Sequence, residues 1–337
     1  MAGVNTAANS MQVLNLLLLL MISSIAASAG DLRIAIIGCD TSHVTAFTEA
    51  LNNPAAKDHV PGGKVVSAFK GGSKDIPSSA DRVEGYSKTL KEKYGVQFYE
   101  TIEEMCRNAD AVLLESVDGR PHLEQAKAVF RSRRATPGGG AASGPTAMFI
   151  DKPMAGSLKD VKEIFRLARQ AGMPVFSSSA LRFSKDTQAV RQGKIGKVTY
   201  AETYGSCELE PHHPDLFWYG VHGVEALFTI MGPGCETVQR GKTPAGKIEV
   251  IGTWKDGRKG ILREDNAFHG LAKGEKGESP AGSFDGYVPL IAEIMKFFKT
   301  GVAPVSPEET IEMFAFMEAA DASKAQGGAA VSLGSLD

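Results

Sequence analysis

The chain has 337 residues, 43% of them hydrophobic and 23% charged, with a formal net charge of −2. That is the composition of a globular protein with room for about two domains. It carries neither the basic surplus of a nucleic-acid binder nor an acidic solvating tail.

The first 29 residues read as a leader. Val13 to Ile25 is almost wholly apolar, Leu16 to Leu20 is an unbroken Leu run, and Ala27-Ser28-Ala29 fits the A-x-A cleavage pattern. The run is shorter than the roughly 20 residues needed to cross a bilayer, so no stable membrane span is expected after cleavage. The expectation is a Sec-type signal peptide and export to the periplasm or beyond. No Lys or Arg precedes the run, and there is no twin-arginine pair or lipobox cysteine. An uncleaved anchor and a start at Met11 stay open. Cys39, Cys106, Cys207 and Cys235 form no CxxC pair and are expected as buried free thiols, with pairing open to an exported protein.

From Asp31 strands alternate with helices. Leu32 to Ile37 is a near-continuous apolar run ending at Gly38, as for a strand buried on both faces. Asp40, Thr41 and Ser42 are helix N-caps, and a helix through Leu51 follows. Lys64 to Phe69 is a second strand, and Ser73 to Glu84 reads as a polar loop before a short helix, Tyr86 to Tyr94. Val96 to Tyr99, Ala111 to Glu115 and Ala147 to Ile150 read as strands, with helices at Ile102 to Arg107 and His122 to Phe130. Arg131 to Thr146 reads as a surface insertion. Leu158 to Ala171 is an amphipathic helix closed by Gly172, and Val175 to Ser178 a further strand. Beyond it, Val198 to Ser206, Ile248 to Trp254 and Gly260 to Arg263 alternate as in an antiparallel or mixed sheet, and helices near Tyr287 to Lys299 and Pro307 to Lys324 close the chain. The fold class is α/β: a Rossmann-like doubly wound parallel sheet over 30–154, then an α+β domain over 155–337 with a mostly antiparallel or mixed sheet.

Candidate chemistry lies at the carboxyl ends of the first-half strands, where α/β folds bind ligands. The turn Gly38-Cys39-Asp40-Thr41-Ser42-His43 keeps only the first glycine of G-x-G-x-x-G. Asp40 replaces the second, so its carboxylate is expected to face a phosphate and repel it, offset in part by Thr41, Ser42 and the helix N-terminus. After the second strand no acid awaits a ribose. Lys70 either takes a 2′-phosphate or is a solvated strand end. Ser116 to His122, including Pro121, and then Asp151-Lys152-Pro153 follow later strands. Lys152 there can bond a substrate hydroxyl and shuttle its proton. Glu208, Glu210, His212, His213 and His222 suggest a metal, but adjacent histidines point apart, and no metal is expected. Phe217, Trp218 and Tyr219 give an aromatic wall suited to sugar rings, or a packed core edge.

These motifs together resemble the Gfo/Idh/MocA family, the glucose-fructose oxidoreductase and inositol dehydrogenase group. Gly38, Pro121-His122, Asp151-Lys152-Pro153 (Asp for the family's Glu), Arg182-Phe183, Gly193-Lys194-Ile195-Gly196 and Glu318-Ala319-Ala320 with Ser323 and Gly327 carry the resemblance over nearly the whole mature chain. The family stretch D-x-G-x-H-x-x-D is here Trp218 to Glu225, with Gly220 and His222 kept, Trp218 for the first Asp and Glu225 for the last. The resemblance implies an NAD(P)-dependent oxidoreductase of a sugar or polyol, often a homo-oligomer. Lys152 and His222 would be catalytic. Gly38, Asp40, Thr41, Ser42, Lys70, Ser116, Pro121, His122, Asp151 and Lys152 would line the NAD or NADP site, and Arg182, His213, Trp218, Tyr219 and Glu225 the substrate site. The alternative is an exported non-redox descendant that binds or processes carbohydrate with a degraded cofactor site. A Sec substrate crosses unfolded and so without bound cofactor.

Overall fold

The computed structural model describes residues 30–133 and 144–336. The leader expected over 1–29 and the body of the insertion expected over 131–146 lie outside the described residues. No helix among the described residues is long and apolar enough to cross a membrane.

The first sheet is built from β1 (Leu32–Ile37), β2 (Gly63–Phe69), β3 (Gln97–Phe98), β4 (Ala111–Leu114), β5 (Ala147–Ile150) and β6 (Val175–Ser177). Its order is β3-β2-β1-β4-β5-β6, parallel throughout. Ile34 to Ile37 are wholly buried, as an unbroken apolar strand between two helical layers must be. The sheet continues past residue 154 to take β6. Strand order reverses between β1 and β4, and the chain leaves them in opposite directions. That divergence opens a crevice at their carboxyl ends.

Helices α1 (Ser42–Asn52), α2 (Pro77–Tyr94), α3 (Ile102–Cys106), α4 (His122–Ser132) and α5 (Leu158–Ala171) connect these strands. Thr41 caps α1 and Ser157 caps α5, each accepting a backbone N–H. Helix α2 corrects the sequence reading: it begins at Pro77, inside the stretch expected as a loop. Its buried residues are Ser79, Ser87 and Leu90, so it has almost no apolar face to reveal its period. The proline at its first turn was the available signal.

The second sheet is mixed: β7 (Val198–Gly205), β8 (Cys235–Lys242), β9 (Ile248–Trp254), β10 (Lys259–Glu264), β11 (His269–Gly274), β12 (Gly277–Pro280) and β13 (Val331–Ser332), in the order β12-β11-β7-β10-β9-β8-β13. Strands β7 and β10 run parallel, and the other neighbours antiparallel. Helices α6 (Lys185–Arg191), α7 (Val221–Met231) and α9 (Pro307–Ala325) belong with this half, where Phe316 and Trp254 pack edgewise or tilted on Phe228. Helix α8 (Val288–Thr300) crosses back. Its Leu290, Ile294 and Phe297 join Ile34, Ile36, Phe149 and Phe176 of the first sheet in one apolar cluster.

The two halves are also joined by buried charge. Arg182 is 1% exposed; its guanidinium is hydrogen-bonded to Glu225 of α7 and lies 2.7 Å from Glu309 of α9, which also takes Arg191 at 3.1 Å. Arg182 and Glu225, expected beside a substrate, spend themselves on this network instead. All four cysteines are free and buried, and burial pushes their thiols up to about 12, or about 11 for Cys106.

Candidate active site

The crevice at the strand-order reversal holds a cavity of about 310 Å³. That is the lower end of the roughly 300–1,000 Å³ usual for small-molecule sites, room for one sugar ring. Thr41, Ser42 and His43 reach it from the start of α1, Lys152 from the end of β5, Ser179 to Leu181 from the exit of β6, and His222 from the first turn of α7. Trp218, Tyr219, Phe268, Phe284 and Tyr287 form its aromatic walls. Tyr219 and Phe284 are 39% and 48% exposed, so their ring faces are available to a ligand rather than sealed in core.

Lys152 is 9% exposed, and no group among the described residues hydrogen-bonds its ammonium. His222 Nδ1 lies 2.7 Å from Ser179 Oγ. That oxygen also accepts the Leu181 N–H at 3.2 Å. Burial, then the positive charges of Lys152 and His43, push His222 well below its ordinary value. The Lys152 amine and a neutral imidazole thus line one cavity, an arrangement able to give a proton to a ligand hydroxyl or take one away.

Behind the wall lie two carboxylates that the sequence reading did not join. Asp151 Oδ2 is 2.7 Å from His43 Nδ1, and Glu115 Oε2 is 3.9 Å from the same atom. Burial would raise Asp151, but His43 and Lys152 beside it outweigh that and hold it below the usual carboxylate range. Glu115, immediately after β4, is raised well above that range by burial and by Asp151. A charged residue ending an otherwise apolar strand, read as part of that strand, was the signal for Glu115. His43 sits directly after the cap of α1, and nothing in its spacing pointed to Asp151.

The turn after β1 differs most from expectation. Asp40 is wholly buried and faces no phosphate: it accepts Ser79 Oγ at 2.6 Å and the Val117 N–H at 3.0 Å. Burial raises its carboxyl in spite of both bonds. Gly38, at φ +89°, has no space for a Cβ, which would lie 2.4 Å from the Ser116 nitrogen. The room that glycine gives is therefore filled by β4's own exit. The loop after β2 then reaches the loop after β4. Ser73 Oγ donates to Asp118 at 2.5 Å, and Arg120 bonds both Asp118 and Asp75. His213 bonds Asp118 at 2.9 Å and Glu210 at 2.6 Å from the second half. A dinucleotide laid over this turn would run between loops that here touch each other. Lys70 is ion-paired with Glu84 at 2.8 Å, and Ser116 donates to Gln125. His122 is wholly buried between the carbonyls of Ser116 and Met154, and Pro121 caps α4. These contacts bridge the groove expected to take NAD or NADP, so a dinucleotide there needs the two loops to part.

Of the residues expected at the site, the structure brings Thr41, Ser42, Lys152, Trp218, Tyr219 and His222 to the cavity. Gly38, Asp40, Ser116 and Asp151 form the layer behind it. Lys70, Pro121, His122, Arg182, His213 and Glu225 are not among its lining residues. His212 and His213 do not splay as expected, since both Nδ1 atoms converge on Glu210.

Two outcomes follow from this layer. Asp40→Gly leaves Val117 N–H and Ser79 Oγ without their acceptor. It is expected to cost about 1–3 kcal/mol in denaturant unfolding and to leave nucleotide affinity unimproved. Tighter nucleotide binding would restore the repulsion account. The second concerns pH. Burial lowers His213, but its bonds to Asp118 and Glu210 outweigh that and raise it. Burial raises Asp118, but His213, Arg120 and Ser73 outweigh that and hold it far below its ordinary value. The His213 contribution is full below its unfolded pKa of about 6.5 and lost as pH rises through the raised folded value. The Asp118 contribution is full above about 3.9 and lost as pH falls toward its lowered folded value. The Tm gap between native protein and His213→Asn should therefore be widest near pH 4–6.5 and narrow on the alkaline side. A gap independent of pH would contradict the ion-pair reading.

Comparison with known proteins accords with this architecture. Residues 32–179 match the family described as oxidoreductase family, NAD-binding Rossmann fold (GFO_IDH_MocA). No curated protein sequence matches the chain. Among solved structures, the chain is similar in fold to scyllo-inositol dehydrogenase from Lactobacillus casei with bound NAD(H) and scyllo-inositol, at 13% identity and TM-score 0.67, covering 90% of this chain and 99% of that one. Myo-inositol dehydrogenase from the same organism, in complex with NAD(H) and myo-inositol, gives 13% identity and TM-score 0.67 over 90% of this chain and 96% of that one. An oxidoreductase from Thermotoga maritima gives 18% identity and TM-score 0.67 over 91% and 100%. The parallel sheet, with Lys152 just after β5, thus lies within the stretch that matches this oxidoreductase family, and the whole chain shares its fold with solved dehydrogenases.

Proposed function

We propose that the protein acts on a sugar or polyol in the cavity, exchanging a hydroxyl proton through Lys152 and His222, with no dinucleotide in the groove above β1. The observation that carries this reading is the contact of Ser73 and Arg120 with Asp118 and Asp75 across that groove, over a buried Asp40. The exposed aromatic faces of Tyr219 and Phe284 suit the apolar face of a sugar ring, and the cavity volume suits one ring. Export, expected from residues 1–29, agrees with it, since free nicotinamide nucleotide is scarce outside the cytoplasm. A mature N-terminus at Gly30, read by sequencing the secreted protein, tests that part.

The second reading is NAD(P)-dependent oxidation of a carbinol, which the family match over residues 32–179 favours. It requires the two loops to part. Calorimetric titration with NADH and NADPH separates the readings. The expected result is no saturable binding up to millimolar nucleotide, alongside binding of a member of a sugar and polyol panel. Micromolar nucleotide binding would overturn the first reading and put the oxidoreductase in its place.

A further inference from the structure

Three buried side chains meet beside the cavity at the strand-order reversal. His43 comes from the first turn of α1, Glu115 from the exit of β4 and Asp151 from the exit of β5. One ligand atom of each lies within 4.8 Å of the others. Glu115 is wholly buried and Asp151 is 1% exposed, yet none of their four carboxylate oxygens has a hydrogen-bond partner among the described residues. His43 Nδ1 is close to both acids, at 2.7 and 3.9 Å, but is not aligned to donate to either. Two carboxylates buried together without donors are costly, and a cation, a proton or paired donors must offset them. Donors are missing here, and the Lys152 ammonium bonds neither acid.

We propose that His43, Glu115 and Asp151 bind one divalent first-row cation of the zinc or manganese kind. The donor set, one imidazole nitrogen and carboxylate oxygens with no thiolate, is one those ions accept and a soft ion does not. His43 stands on the first turn of a helix, and Glu115 and Asp151 each directly follow a strand of the parallel sheet. The His43 ring is held by Phe47, stacked at 5.4 Å, and by the edge of Tyr287 at 4.6 Å, so its direction is fixed before any ion arrives. Three protein ligands leave at least one coordination position to water or to a ligand oxygen, the pattern of an open rather than a structural site. His43 also lines the cavity, so such an ion would add a Lewis acid next to Lys152 and His222.

The test uses the mature protein stripped with chelator and titrated calorimetrically with Mn²⁺ and with Zn²⁺. The expected result is one equivalent per chain, weakened at least tenfold in Glu115→Gln and in His43→Ala. Co²⁺ loading should give a visible spectrum without thiolate charge-transfer bands. If Glu115 is simply protonated, the folded native protein binds no ion and Glu115→Gln is as stable as native, which overturns the proposal. Binding that is unchanged in both variants also overturns it, by placing the ion elsewhere. Should Glu115→Gln fail to fold, His43→Ala alone decides, because its contacts are to aromatic rings and not to the backbone. The readout is binding without substrate, so failure here leaves the reading of Lys152 and His222 standing, and the reverse.

Discussion

Lys152→Met should fold as the native chain does, keep its affinity for a bound sugar or polyol within a few-fold, and lose turnover by about 10²–10⁴-fold. The reason is local. The Lys152 ammonium is tied to no group among the described residues, so its removal takes away a proton donor rather than a structural bond. Methionine fills nearly the same space, which separates the lost charge from a lost volume. His222→Asn should cost a similar factor, and the double variant little more than either single one, because in the proposed function the two groups serve one proton. Turnover within tenfold of native in Lys152→Met, measured on the substrate found by the binding panel, would remove Lys152 from the chemistry.

Arg182→Met is expected to be the most destabilising single change in the chain outside the apolar core, at about 3–5 kcal/mol in denaturant unfolding. The guanidinium is 1% exposed and serves two carboxylates, Glu225 and Glu309, from two different helices. Taking it away leaves Glu225 buried without its cation, and Arg191 is left to hold Glu309 alone. Adding Glu225→Gln to Arg182→Met should recover part of the loss, since the stranded charge goes with it. A loss below about 1 kcal/mol for Arg182→Met would mean that the network contributes little to stability.

Periodicity made much of the fold legible. Leu32–Ile37 announced a strand buried on both sides, and Leu158–Ala171 announced its helix and C-terminal glycine, because burial there is dictated by apolar spacing alone. Helix α2 was hidden because its buried residues are chiefly serines. The site was legible where position at a strand's end decides placement, as for Lys152, and where a motif carried it, as for Trp218, Tyr219 and His222. Arg182 and Glu225 lie 43 residues apart, and Arg182 and Glu309 127 apart. No local pattern can report that such charges will cancel each other and so be unavailable to a ligand. Asp40 shows the same limit. Its position in the turn was read correctly, but which way its carboxylate faces depends on Ser79 of a helix that was not expected there.

Helix α8 has a consequence for how the molecule can be made. The sheet of the first half lacks part of one face until Leu290, Ile294 and Phe297 arrive, and these are synthesised after the strands β7 to β12. A ribosome therefore releases a sheet whose Ile34, Phe149 and Phe176 stay uncovered while most of the second sheet is being threaded out. A gene fragment ending near residue 179, at the limit of the family match, would encode an incomplete body and should collect in inclusion bodies. The same fragment supplied with a separate peptide covering 288–300 has the missing surface returned to it. Dissection of this protein into working halves accordingly has to cut around α8 rather than between the two sheets.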